Sequence, residues 1–230
     1  MSFARLFKRI IALTALLIMT VTTANAEFYP VDGELQNYGA GIYQSARSYF
    51  GRRSFSGYCG TYVKCQLRAM GIFDNQFDFN GNGNQWYANF EGVTETSGGY
   101  CVYRESGHDS LYKLQEKYGT NLKNIVVSFP IQSGRSASSP GAGHAFVIYE
   151  IRDGIAYYSE SFRLGQFAEG EVIAEDIDSL LTRYERRHGT LTGSVMLTKI
   201  PILSKNEEYQ KMFEAIIVSL EDMSEKAINA

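Results

Sequence analysis

The sequence predicts an α+β fold, with helices packed on an antiparallel sheet, and three observations carry that prediction. Apolar positions recur at helical spacing between residues 59 and 70. Three β-branched and aromatic segments, "NIVVSF", "HAFVIYEI" and "GIAYYSESF", follow between residues 124 and 162, with the hairpin pair Asp153-Gly154 separating the last two. Helical periods then return from residue 177 towards the C-terminus.

Taken in order, the first element is a leader. Arg5, Lys8 and Arg9 precede an apolar run from Ile10 to Val21, and Ala24-Asn25-Ala26 forms an A-x-A site. A basic start, a short apolar stretch and small residues at the end make a secretory signal peptide over residues 1–26, too short for a comfortable membrane span. The expected protein is exported, periplasmic or extracellular, with no stable membrane anchor once the leader is cleaved. Residues 27–49 are Gly- and Tyr-rich and read as a lead-in with one short helix. Residues 50–165 read as the core, and 166–230 as a C-terminal helical extension packed on it.

In the core, Cys59, Tyr62, Val63, Gln66, Leu67 and Met70 share one helical face, Ser56 and Gly57 suit the start, and Gly71 with Ile72 suits a left-handed C-cap. Residues 74–92 are Asn/Gly-rich and hold the single tryptophan, Trp86. Asp78, Asn80, Asn82 and Gly83 imitate the first half of a calcium loop, but Asn89 stands where the bidentate glutamate belongs, so no metal or other cofactor is expected. A helix over Ser110 to Tyr118 precedes the three strands, and a loop of small residues, 133–143, leads into His144. Of the late helices, one spans Ile177–His188 with Gly189 after it. The other begins at a Ser204…Glu207 capping box and lines up Met212, Phe213, Ile216, Ile217 and Leu220.

The formal net charge of −3, with no basic block or basic helix, excludes a nucleic-acid partner. Sixteen tyrosines and fourteen phenylalanines suit either a surface that grips an extended ligand or a core. Three cysteines are an odd number, so at most two pair within the chain; a Cys65–Cys101 bridge would leave Cys59 free. Oligomeric state is left open.

Cys59 is placed in the first turn of its helix, where unpaired N–H groups and the positive end of the dipole favour thiolate over thiol. Cys65, in mid-helix, has no such help. A nucleophilic cysteine needs a base, and the candidates after the leader are His108, His144 and His188. His108 lies in the polar turn "ESGHDS", and His188 ends a charged helix as a solvated or C-capping cation. His144, at the mouth of a buried-looking strand, is the favoured base. Its orienting partner would come from Ser159, Glu160 or Ser161 on the next strand, according to hairpin register. A two-residue Asp153-Gly154 turn pairs 147 with 160 and puts Glu160 on the face opposite His144. A three-residue turn pairs 146 with 160 and puts the two on one face. For Glu160 to orient His144, the turn must therefore contain the extra residue.

The segments "GYCGTYVKCQLRAMGI", "GNGNQW", "NIVVSF", "GHAFVIYEI" and "YYSESF", in this order, resemble the CHAP domain, a papain-like amidohydrolase family of the NlpC/P60 superfamily. The resemblance covers residues 50–165. It departs from the family pattern at Gly60, at "NLKNIVV", in the longer loop before His144, and at Phe162. It implies a papain-like fold with the nucleophile opening a helix, and hydrolysis of amide bonds in peptidoglycan. The bond would be the N-acetylmuramoyl–L-alanine bond or one within the stem peptide. Cys59 would be the nucleophile, His144 the general base and acid, and Glu160 the third residue. Tyr58 and Trp86 would lie on the oxyanion and substrate side. The rival readings are a papain-like protease or transferase acting on protein, and a non-catalytic secreted binding domain on the same fold.

Overall fold

A computed structural model of the chain describes residues 28–74, 81–130 and 143–199. The leader, Asp78 and Asn80, the small-residue loop up to position 142 and the helix expected from Ser204 onward lie outside the described residues.

The chain opens with β1 (Phe28–Tyr29) and then α1 (Gly33–Phe50), an 18-residue helix. The Asp32 side chain caps α1 by accepting from the Leu35 N–H at 2.8 Å, and Gly51 ends it at φ 69°. The expected lead-in is thus a full helix. Its glycines and tyrosines blur the apolar period, and packing supplies what propensity lacks: a Cβ at Gly39 would lie 2.1 Å from Val172, so only glycine lets the helix approach the sheet there.

Helix α2 (Cys59–Ala69) follows. Gly71 donates to the Arg68 carbonyl and Ile72 to the Leu67 carbonyl, closing a Schellman motif with Ile72 and Leu67 buried together, as the sequence predicts. A 3-10 turn (Gly83–Gln85), capped reciprocally by Asn82 and Gln85, runs into the short α3 (Trp86–Asn89). The remaining elements are β2 (Cys101–Ser106), α4 (Ser110–Tyr118), β3 (Leu122–Phe129), β4 (His144–Arg152), β5 (Ile155–Ser159), β6 (Val172–Asp176), α5 (Ile177–His188) and β7 (Gly193–Thr198).

The seven strands form one antiparallel sheet in the order β1-β6-β5-β4-β3-β7-β2. The fold is α+β, with helices on both faces. On one face, Ile42 of α1, Val63 and Leu67 of α2, and Trp86 meet Val126, Ala145 and Val147. On the other, Leu111 and Leu114 of α4 and Leu180, Leu181 and Tyr184 of α5 meet Ile125, Val127, Phe146 and Ile148. The boundary expected near residue 165 is not a structural one. β6 pairs with β5, and β7 lies between β3 and β2, so the segment read as a helical extension contributes two inner strands to the sheet. Both strands are short and buried on two faces, which removes the alternation that marks a half-exposed strand.

Candidate active site

Cys59 is the first residue of α2 and is half-buried. Tyr58 occupies the N-cap position and gives no side-chain hydrogen bond to the first turn. The backbone N–H groups at the start of α2 have no intrahelical acceptor, so they remain suited to hold an oxyanion beside the sulfur. The Tyr58 N–H is not among them: it donates to the Phe55 carbonyl at 2.7 Å. Its exposed ring lies under the Arg52 guanidinium, 5.0 Å away, and its hydroxyl accepts from Arg52 Nη1 at 2.7 Å.

His144 opens β4, and the Gly143 carbonyl before it lies 3.9 Å from Cys59 Sγ. The His144 side chain and the Ala145 N–H both act on the Cys59 thiol. On its other side, His144 Nε2 lies 3.2 Å from Glu160 Oε2 and 3.4 Å from Oε1, which leaves Nδ1 to serve the sulfur. His144 is 3% exposed and Glu160 is 0% exposed, so the pair works shielded from bulk water.

Burial alone would push the Cys59 thiol up; the hydrogen bond and charge of His144, with the Ala145 N–H, outweigh it and hold the thiol below its ordinary value. Burial likewise disfavours a charged imidazole, yet the Glu160 carboxylate and the Cys59 sulfur outweigh it and raise His144 to about 9. The two shifts agree: the resting pair is drawn towards thiolate and imidazolium.

Glu160 reaches His144 by a route other than the expected one. The hairpin turn is a strict two-residue Asp153-Gly154 turn, both residues at positive φ, with Arg152 paired to Ile155. The extra residue sits in β4: the register shifts between Ile148 and Glu150, so Val147 pairs with Ser159. One step further, Phe146 stands opposite Glu160, and the carboxyl falls on His144's face. The bulged residue, Tyr149, sends its hydroxyl into a buried polar cluster. Ser159 Oγ lies 2.8 Å from Tyr149 Oη and 2.9 Å from Tyr62 Oη, and Gln66 Nε2 donates to Ser159 and Tyr149 at 2.9 Å each. This cluster fastens α2 to β4 and β5 one residue before Glu160. Ser159 is thereby engaged on the α2 side of the sheet.

The "GNGNQW" segment wedges between the two halves of the site. A Cβ on Gly60 would lie 2.3 Å from the Gly81 carbonyl oxygen, and one on Gly83 would lie 2.5 Å from the His144 carbonyl carbon. The residue after Cys59 is glycine because this loop presses against it. Trp86 lies fully buried beneath Gly60, its indole Nε1 3.1 Å from where a Gly60 Cβ would stand, so it supports the helix start from within and presents no exposed surface.

Two ring residues that sequence reasoning left outside the site stand against it. His188 stacks on His144 with centroids 4.8 Å apart and an interplanar angle of 15°, and Tyr184 stacks at 5.3 Å and 10°. His188 is half-buried and is no solvated helix end. The signal was legible: Ile177, Leu180, Leu181, Tyr184 and His188 follow one helical stripe, and four of them are core residues. His108, by contrast, lies at the surface 2.8 Å from Glu185.

Cys59, Cys65 and Cys101 are all free thiols; Cys65 is buried on α2 and Cys101 starts the edge strand β2. Among the described residues, no helix is long and apolar enough to cross a membrane, and no cluster of three His, Cys, Asp or Glu residues is arranged to hold a metal ion. A separate cleft lined by Asp32, Tyr38, Lys123, Glu150 and Arg152 lies at the far end of β4 from His144 and shares no residue with the Cys59 site. Compared with models of known families, with curated proteins and with solved structures, the chain gives no match.

Proposed function

We propose that the protein is an exported cysteine amidohydrolase acting on amide bonds of peptidoglycan, on a variant of the papain-like fold. One observation carries the enzymatic part: a helix-start cysteine whose thiol is held down by a buried histidine, and that histidine's Nε2 lies 3.2 Å from a buried carboxyl. The substrate class rests on the resemblance of residues 50–165 to CHAP domains and on the leader-like N-terminus.

The chemistry follows from the geometry. The Cys59 thiolate attacks the substrate carbonyl carbon, and the negative charge moves to the carbonyl oxygen beside the first-turn N–H groups of α2. As the C–N bond breaks, the His144 imidazolium gives its proton to the leaving nitrogen, and an acyl-thioester remains on Cys59. Neutral His144 then takes a proton from water, the resulting hydroxide attacks the thioester, and the acid product leaves as thiolate and imidazolium are restored. Glu160 holds the ring orientation and favours its charged form.

The test is digestion of purified sacculi, with the new termini identified by mass. Wild-type protein is expected to release fragments, and Cys59→Ala none. Release by Cys59→Ala would end the reading. Cleavage of protein substrates with sacculi left intact would transfer the same triad to a protein-directed protease.

A further inference from the structure

We infer that His188 is a positioning residue of this reaction: stacked on His144, it holds that ring in the plane that serves Glu160 and Cys59, and its π face stabilises the imidazolium. The inference rests on the catalytic reading of Cys59, His144 and Glu160.

The rings of Tyr184 and His188 are four residues apart on α5 and lie 6.2 Å from each other, close to parallel. Each is nearly parallel to His144. Because 6.2 Å is much less than the two stacking distances combined, both rings cover the same face of His144. Side chains at i and i+4 on a helix form one continuous patch, here an aromatic plate. The edge of the imidazole stays open to Glu160 on one side and Cys59 on the other. An imidazole buried without such a plate could turn about its Cβ–Cγ bond and lose both partners together. A cation resting on a π face also gains a favourable quadrupole interaction.

The surrounding charges fit this role. Within the site, Glu160 and Cys59 supply the negative partners of His144. On α5, Arg183 lies over Tyr184 and pairs with the buried Glu175, Glu185 is engaged with His108 and the Leu191 N–H, and Arg187 lies over Phe162. From β3, Phe129 faces His188 with ring centroids 6.4 Å apart. Arg183 and Arg187 are held on other rings and Arg186 is exposed, which leaves His188, at 4.8 Å, the nearest α5 ring against His144. A neutral His188 suits the imidazolium, since two stacked cations repel.

The test measures the rate of iodoacetamide alkylation of Cys59 in the full chain from pH 5 to 10, resolved by peptide mass, alongside kcat and KM. In the wild type, reaction is expected well below the pH at which an ordinary thiol ionises. His188→Ala is expected to slow Cys59 labelling about tenfold near pH 6, to converge with wild type near pH 10, and to lower kcat with KM little changed. His188→Phe restores the flat face and should stay within about threefold of wild type. An unchanged pH profile in a folded His188→Ala protein overturns the inference. If that variant does not fold, His188→Leu replaces it: Leu matching Phe removes the role of the ring face. A wild-type Cys59 that titrates as an ordinary thiol would instead overturn the catalytic reading itself, a result separable from the other two.

Discussion

Cys59 and Cys65 share one helix, and their surroundings make them different reagents. Burial pushes the Cys65 thiol up, while His144 holds the Cys59 thiol down. Brief alkylation at neutral pH should therefore modify Cys59 and spare Cys65; equal and slow labelling of both would remove the thiolate from the account. The same shifts fix the pH dependence. In the proposed reaction, activity needs Cys59 deprotonated and His144 protonated, so the rate should rise as pH climbs through the lowered thiol value, hold, and fall as His144 loses its proton near 9. Glu160→Gln keeps the hydrogen bond and loses the charge that raises His144. Its alkaline limb should move to lower pH, with activity down by about ten- to a thousandfold. A Glu160→Gln profile that overlays the wild type would assign the carboxyl a purely structural part.

At the scale of elements, the site depends on three backbones meeting: the start of α2, the start of β4 and the loop wedged between them. Gly83 marks the tightest contact with β4. In Gly83→Ala the new methyl would fall 2.5 Å from the His144 backbone, and no flexible side chain is there to yield. This substitution should cost about 2–4 kcal/mol in urea unfolding and displace His144, so activity falls further than stability predicts. Gly33→Ala is the control: nothing lies within 4 Å of its Cβ position at the first turn of α1, and the change should be neutral or stabilising by up to about 1 kcal/mol. The bulge at Tyr149 is tied to the same assembly. Tyr149→Phe removes a hydroxyl that bonds both Gln66 and Ser159, and should destabilise by about 1 kcal/mol while leaving Glu160 on its face.

At the scale of the whole molecule, one sheet runs from residue 28 to residue 198, and its strand order interleaves the two ends of the chain. β7 separates β3 from β2, and β6 supplies the partner of both β5 and β1. A fragment ending at residue 165 would expose the edges of β3 and β5 and lose Ile173, Val195, Met196 and Leu197 from the cores on either face. It is expected to show no cooperative unfolding transition and no activity, whereas residues 28–199 should unfold in one step. A folded, active 28–165 fragment would restore the boundary that the sequence implies.

The sequence by itself determined what local chemistry dictates. The Schellman end of α2, the Asp153-Gly154 turn, the span of α4 and α5 and the helix-start position of Cys59 each depend on a few neighbouring residues with strong conformational preferences, and each is legible there. His144 and Glu160 were readable as candidates, since a polar residue at a strand mouth is conspicuous. What only the tertiary structure decided is how these pieces face one another. The register that brings Glu160 to His144 is set by a bulge in a run of buried apolar residues, where nothing in the pattern marks which one is extra. Helix α1 forms because it packs on α2 and β6, and β6 and β7 are strands because the sheet is there to receive them; none has a period of its own to read. Trp86 and His188 each left the expected place, the first going from the substrate side to the interior and the second from solvent to the site, because burial is settled by partners distant in sequence. Gly60 and Gly83 show the same limit: a glycine announces that something comes close, and only the folded chain says what.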